Sequence, residues 1–260
     1  MNKIFFQTAL LLTAFCINFY IFPSDIRAEV YEIRGYIIGD NGDEAVVDQY
    51  LSNALLPCLK RHGVGPIGAF TNAPSDKTGT KTTFVIIPHT DTLAMVQNRE
   101  LVQSDQQYLG DAAAFFSHGN RDKSYQRISS ELLIAMDCWP RVKVPSGVTT
   151  NKNRVYELRT YESAHEKLGQ LKVDMFNNGE VPIFLDCGIT PIVIGQAVIG
   201  PYTPNLTYLT MYPSEESRIQ AWKSFREHPA WKVLSKVEKY EGTVSTIHKY
   251  VLVPKAYSEM

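Results

Sequence analysis

Two short segments carry the side chains best suited to chemistry. Glu32, Arg34 and Tyr36 alternate along the first, and Glu157, Arg159 and Tyr161 along the second. Period-2 spacing puts each trio on one face of a β-strand. An arginine so placed can hold a carboxylate or phosphate through two parallel hydrogen bonds, and a buried glutamate can serve as a base with a raised pKa. If the charged faces turn into a barrel, the two trios meet in a cavity. The reading with fewer assumptions is that each Glu and Arg pair with one another or with neighbouring strands. His228 is a third candidate, as a general base. It directly precedes Pro229, however, where a helix-cap role needs nothing more. His89 follows Pro88 in a turn and His165 opens a helix. His165-Glu166 begins like a zinc-protease motif, but Gly169 stands where the second histidine is required. No metal site is read, and no residue is named as catalytic.

The elements that must position these trios come from an internal repeat. Val30-Tyr31-Glu32-Ile33-Arg34-Gly35-Tyr36 recurs as Val155-Tyr156-Glu157-Leu158-Arg159-Thr160-Tyr161, an offset of 125. The same offset carries Pro57 onto Pro182, Gly63 onto Gly188, Pro66 onto Pro191 and Ile67 onto Ile192. Read without a gap, it runs on to Pro88 over Pro213 and Leu109 over Leu234. Each half reads as strand, helix, two strands, helix, strand. In the second half Ser163 to Glu166 resembles a capping box, with strands at 190–198 and 206–212, a helix after Ser214 and a closing strand at 243–253. In the first half 43–62 reads as helix, 67–70 and 82–88 as strands, 90–116 as helical and 128–136 as the last strand. The fold class expected is α+β: two tandem ferredoxin-like βαββαβ repeats, residues 29–138 and 154–260. Residues 139–153 form a linker. Each sheet must bury its open face, and the simplest cover is the other sheet, which gives a pseudo-dimeric α/β barrel within one chain. Trp222, Phe225 and Trp231 are read as core. Gly63-Val64-Gly65-Pro66-Ile67-Gly68 has dinucleotide-motif spacing but runs from helix to strand, the wrong order for a pyrophosphate site, and is read as a turn.

The opening strand Val155 to Tyr161 resembles that of the NIPSNAP family. The passage Leu56-Pro57-Cys58-Leu59-Lys60-Arg61-His62-Gly63-Val64-Gly65-Pro66-Ile67 and the stretch Phe225-Arg226-Glu227-His228-Pro229-Ala230-Trp231 are similar to the same family. The first half departs further, with Gly35 for Thr160 and Gln103 to Gln106 in place of His228 to Trp231. The resemblance implies a ferredoxin-like, dimeric α/β barrel fold and no agreed reaction. Related barrels bind haem, so it adds haem ligation to the roles open to His228; no cofactor is otherwise predicted.

Composition narrows the partners. With 26 Lys+Arg against 27 Asp+Glu, the net charge is -1. That excludes a sequence-independent nucleic-acid binder, which needs a basic face. Lys3, a largely apolar run over residues 4–22, and Ile26-Arg27-Ala28 have the pattern of a signal peptide, residues 1–28, cleaved before Glu29. The expectation is an exported, periplasmic or extracellular protein with no membrane span after cleavage; an uncleaved anchor is the alternative. Cys58, Cys138 and Cys187 are too few for a disulfide framework and are read as buried thiols. Asn205-Leu206-Thr207 is a glycosylation sequon. The function expected is binding of a small molecule or protein partner through the barrel or its rim. A cofactor-free or haem-dependent oxygenase or isomerase inside the barrel is the alternative. In a third reading, the outer helices form an interface in a homo-oligomer.

Overall fold

A computed structural model describes residues 28–260, so the expected leader lies outside the described residues except for Ala28. The first half contributes β1 (Val30–Ile37), β2 (Gly68–Asn72), β3 (Thr82–His89) and β4 (Arg127–Ala135). The second contributes β5 (Val155–Glu162), β6 (Thr190–Ile199), β7 (Asn205–Tyr212) and β8 (Thr246–Pro254). All eight strands close one antiparallel barrel in the order β1-β3-β2-β8-β5-β7-β6-β4. The halves join at two seams, β2 with β8 and β4 with β6. Closure removes the free edges that two separate sheets would expose.

Helices cover the outside. In the first half, α1 (Glu44–Tyr50), a π-helical turn (Leu51–Leu55) and α2 (Leu56–Arg61) run on as one arm, followed by α3 (Thr92–Ser104), α4 (Gln106–Asp111) and α5 (Ala113–Phe116). The second half repeats the plan with α6 (Glu166–Met175), a π-helical turn (Phe176–Glu180), α7 (Val181–Asp186), α8 (Glu215–Glu227) and α9 (Pro229–Leu234). The glycine-rich stretch is a helix-to-strand turn. Gly63 and Gly188 end α2 and α7 at φ +76 and +77, a left-handed conformation that glycine adopts without strain. The capping-box reading fails in detail. His165 caps α6, accepting from the Leu168 N–H, while Ser163 donates to the Thr243 carbonyl at 2.7 Å. The expected linker is docked rather than loose, with Trp139 buried and its Nε1 donating to the Ile192 carbonyl at 3.1 Å.

The repeat does not hold one register throughout. β1 pairs Glu32 with Ile87, whereas β5 pairs Glu157 with Thr210. The offset therefore falls from 125 to 123 at the third strand of each half. The connection between β2 and β3 (residues 73–81) is longer than that between β6 and β7 (200–204), and the extra length absorbs the difference. Pro88 and Pro213, and Leu109 and Leu234, are therefore not structural equivalents. His89 is the counterpart of Tyr212 instead, and Asp105 that of His228.

Three apolar clusters hold the fold. Tyr31, Ile33, Phe70, Tyr156, Leu158 and Leu252 fill one end of the barrel interior. Tyr36, Val85 and Ile87 pack outward against the first helical arm, and Tyr161, Ile194 and Tyr208 against the second. Each fully buried side chain of this size contributes about 1.5–3 kcal/mol. Among the described residues no helix is long and apolar enough to cross a membrane.

Candidate functional site

Strand alternation decides where the two trios go. Tyr31 and Ile33 fill the barrel, so Glu32, Arg34 and Tyr36 face outward, beneath the first-half helices. Tyr156 and Leu158 likewise send Glu157, Arg159 and Tyr161 under the second-half helices. The two trios therefore do not meet, and the shared inward-facing site expected as one reading does not form. The interior takes mostly the apolar alternate residues, because a charge moved there without a partner loses its hydration. Each trio forms the internal pair of the other reading. Arg34 donates through Nε to Glu32 Oε1 at 2.9 Å and through Nη2 to Oε2 at 3.0 Å. Arg159 donates to Glu157 and to the Tyr161 hydroxyl.

The two layers then diverge. In the second, Arg218 from α8 takes the other oxygen of Glu157 and is itself held by Glu215. Trp222 lies over Arg159, with the guanidinium carbon 3.5 Å from the ring centroid. Tyr212 is fully buried with its hydroxyl on Thr210. This layer is closed. In the first, the structural counterparts of Arg218, Trp222 and Tyr212 are Met95, Arg99 and His89, and a cavity of about 500 Å³ opens between sheet and helices. Glu32 and Arg34 form part of its wall, with Leu55, Leu59, Ile87 and Val102 as an apolar lining.

His89 is the group that marks this cavity. It stands in the wall, only 6% exposed, and its Nε2 has no hydrogen-bond partner. The Asn98 amide nitrogen approaches its Nδ1 at 3.2 Å. An amide NH₂ only donates, so Nδ1 must accept and the ring proton sits on Nε2. Burial lowers the imidazole pKa and keeps it neutral. His89 thus stands as a neutral imidazole held by Asn98 in the cavity wall, which also includes the Arg99 side chain and the Tyr50–Tyr108 hydroxyl pair at 2.8 Å. An acceptor atom on an otherwise apolar molecule fits this arrangement.

His228 does not join it. Its Nδ1 accepts from the Ala230 N–H at 3.2 Å as the cap of α9, and its Nε2 lies 3.9 Å from Asp186. An imidazole so engaged does not suit haem ligation. Trp222 and Phe225 are buried, and Trp231 packs against them, as core. The other barrel end opens into a smaller space of about 230 Å³ whose wall includes Glu131, Thr160 and Tyr202. Glu131 is buried there, its pKa raised by desolvation although Asn205 Nδ2 donates to it at 2.8 Å. Asn205 is therefore buried, which removes the sequon from the surface of the folded chain. Cys58, Cys138 and Cys187 are free thiols, and Cys58 alone is fully buried. Sequence reading passed over Asn98, Arg99 and Glu131 and treated His89 as a turn residue. The offset of 123 sets His89 against Tyr212 and would have marked it; at 125 it faces Ser214.

Comparison with known proteins places the architecture. Residues 156–259 match the NIPSNAP family pattern. No curated relative matches the chain in sequence. A candidate monooxygenase from Fusobacterium nucleatum is structurally similar over 88% of this chain and 93% of its own, at 12% identity and a TM-score of 0.55. A second candidate monooxygenase, from Lactobacillus acidophilus, is similar over 87% and 94%, at 12% identity and a TM-score of 0.52. An uncharacterised NIPSNAP-like domain protein from Burkholderia xenovorans aligns with 42% of this chain and 91% of its own, at 16% identity and a TM-score of 0.38. The two longer likenesses show the fold, a full-length barrel of the dimeric α/β type. The residues that match the NIPSNAP family pattern fall on the second of the barrel's two repeats.

Proposed function

We propose that this protein is an exported binding protein for a small, mainly apolar molecule carrying a hydrogen-bond acceptor, held in the first-half cleft between sheet and helices. The observation that carries the reading is the buried, unpartnered Nε2–H of His89 in the wall of a cavity of about 500 Å³. Leaving such a donor unsatisfied costs about 1–3 kcal/mol, and a bound acceptor offsets that cost. The volume lies within the roughly 300–1,000 Å³ usual for small-molecule sites. Export rests on the pattern of residues 1–28.

The test uses 8-anilinonaphthalene-1-sulfonate, an aromatic probe whose sulfonate accepts hydrogen bonds. One saturable site is expected, weakened about tenfold or more in His89→Leu, the equivalent of one hydrogen bond of roughly 1.4 kcal/mol. The variant removes an orphaned polar atom and loses the Asn98 hydrogen bond, so its stability should stay within about 1–2 kcal/mol of the parent. Undiminished binding in His89→Leu would move the site elsewhere. Native mass spectrometry of the purified chain tests occupancy independently: an added mass lost in the same variant supports the reading.

A further inference from the structure

A second constellation lies at the joint between α2 and the α3–α4 corner. Cys58 sits in α2 and His62 ends it, one helical turn on, so both side chains lie on the same side. Asp105 is the N-cap of α4, its Oδ1 accepting from the Tyr108 N–H at 2.8 Å. The Cys58 sulfur, a His62 ring nitrogen and an Asp105 oxygen all lie within 4.8 Å of one another. His62 Nε2 is 3.1 Å from Asp105 Oδ2. The structure assigns these three residues, we infer, as a binding site for a borderline-soft divalent cation of the zinc class, with a fourth position open to water.

The second half shows what the joint needs without a metal. There the N-cap of α9 is His228, and the end of α7 offers Asp186, 3.9 Å from its Nε2. An imidazole and a carboxylate tether cap to helix end in both halves, with the roles exchanged. That tether accounts for His62 and Asp105. It does not account for Cys58, whose counterpart is the apolar Ile183. The thiol adds a third donor where the repeat needs only a hydrocarbon.

Distances suit the assignment. With metal–nitrogen and metal–oxygen bonds of about 2.0 Å, a tetrahedral site separates the two donor atoms by about 3.3 Å. His62 and Asp105 are therefore already close to the required spacing, and the sulfur must close by roughly 1 Å to reach about 3.6 Å from them. Arg61 Nη2 bonds both Asp105 oxygens at 3.0 Å, so it keeps Oδ1 when Oδ2 turns to the cation. A thiolate and an imidazole with one carboxylate select zinc or cobalt over magnesium or calcium. On binding, the sulfur–hydrogen bond breaks and its proton leaves to water, the His62 Nε2 proton moves through water to Nδ1, and sulfur–metal and nitrogen–metal bonds form. Without metal, burial and the neighbouring Asp105 push the Cys58 thiol up to about 11, so it enters as the thiol. His62 is partly exposed, which gives the ion a route in.

Titration of the reduced full chain with Co²⁺ tests the assignment. One equivalent is expected to bring a thiolate-to-cobalt charge-transfer band in the near ultraviolet and intense visible bands of four-coordinate cobalt, both bleached by Zn²⁺. Cys58→Ser should abolish the charge-transfer band and weaken binding about 100-fold or more, since even an outer-shell partner is worth 10–100-fold. His62→Gln should weaken it similarly, and Cys187→Ser should change nothing. Circular dichroism confirms that each variant folds; if Cys58→Ser does not, His62→Gln decides. A charge-transfer band that survives in Cys58→Ser overturns the assignment. So does the lack of a saturating equivalent in the parent chain, or full affinity in His62→Gln.

Discussion

The most exacting consequence of the duplicated fold concerns a buried ion pair that only one half possesses. Lys172 Nζ lies 2.7 Å from Glu180 Oε2, and their side chains are 6% and 2% exposed. The ammonium has the Phe176 ring 5.0 Å away and the Tyr161 ring at 5.3 Å, so little else can solvate it. Desolvation pushes the Glu180 carboxyl above its usual range even against the pull of Lys172. For the Glu180 carboxylate, burial therefore outweighs the attraction of Lys172. At the equivalent places the first half has Val47 and Leu55, both buried in an intact core. The architecture thus accepts hydrocarbon at both positions. Glu180→Leu alone strands a buried ammonium and should cost about 3–5 kcal/mol. Adding Lys172→Met removes the stranded charge at similar volume. The double variant should return to within about 1 kcal/mol of the parent or exceed it by up to about 4 kcal/mol. Urea unfolding followed by tryptophan fluorescence reads this as shifts in midpoint at an unchanged slope. A cost below about 1 kcal/mol for Glu180→Leu, or a double variant no more stable than the single ones, would refute the argument.

Three further outcomes can be checked with the same apparatus. Glu44 ties α1 to the C-terminal segment: burial alone would raise its pKa, but hydrogen bonds from Lys255, Lys81 and Thr71 hold it down at about 2. Its folded value lies below the ordinary 4.5, so its contribution is complete above pH 4.5 and disappears as pH falls toward about 2. The stability gap between the parent and Glu44→Gln should close over that window, and a gap constant with pH would contradict it. At the β4–β6 seam a Cβ on Gly195 would stand 2.7 Å from Leu133 Cβ and 3.0 Å from the Ile134 carbonyl oxygen. Gly195→Ala should therefore destabilise the barrel by about 1–3 kcal/mol, whereas Gly110→Ala, with open space around it, should not. Arg99→Trp copies the residue that closes the second-half layer; it should block the anilinonaphthalene probe while shifting stability by no more than about 1 kcal/mol. Full probe binding in that variant would show that the first-half cleft is not the site.

Most of the fold was legible because strand alternation and the repeat are local properties. The segment Val155 to Tyr161 fixes a two-faced strand whatever surrounds it, and Gly63 and Gly188 mark helix ends by the conformation they adopt. Which face turns inward was not legible. Glu32 and Ile33 alternate equally well in either sense, and only closure of the barrel decides, by making the interior costly for a charge without hydrogen-bond partners. The site was hidden for a second reason. A net register shift of two residues between the halves leaves the prolines Pro88 and Pro213 aligned in sequence while making His89 the structural counterpart of Tyr212. Cys58, His62 and Asp105 escaped because their proximity depends on how α2 meets α4, a contact across 43 residues that no spacing rule contains.

The divergence of the halves follows from what each layer must do. Two identical helix–sheet layers would bury identical trios, and either could be filled or left open. In the second, Arg218 completes the charge on Glu157, Trp222 covers Arg159 and Tyr212 occupies the sheet face, so large side chains fill the layer, although the buried Trp222 Nε1 has no hydrogen-bond partner. It is also the half that matches a family pattern. In the first, other side chains stand at those same places: Met95 for Arg218, Arg99 for Trp222 and His89 for Tyr212. None of the three is needed to close the barrel, because the seams are made by β2 with β8 and β4 with β6. The cavity is therefore a feature of the first half on which closure of the barrel does not depend.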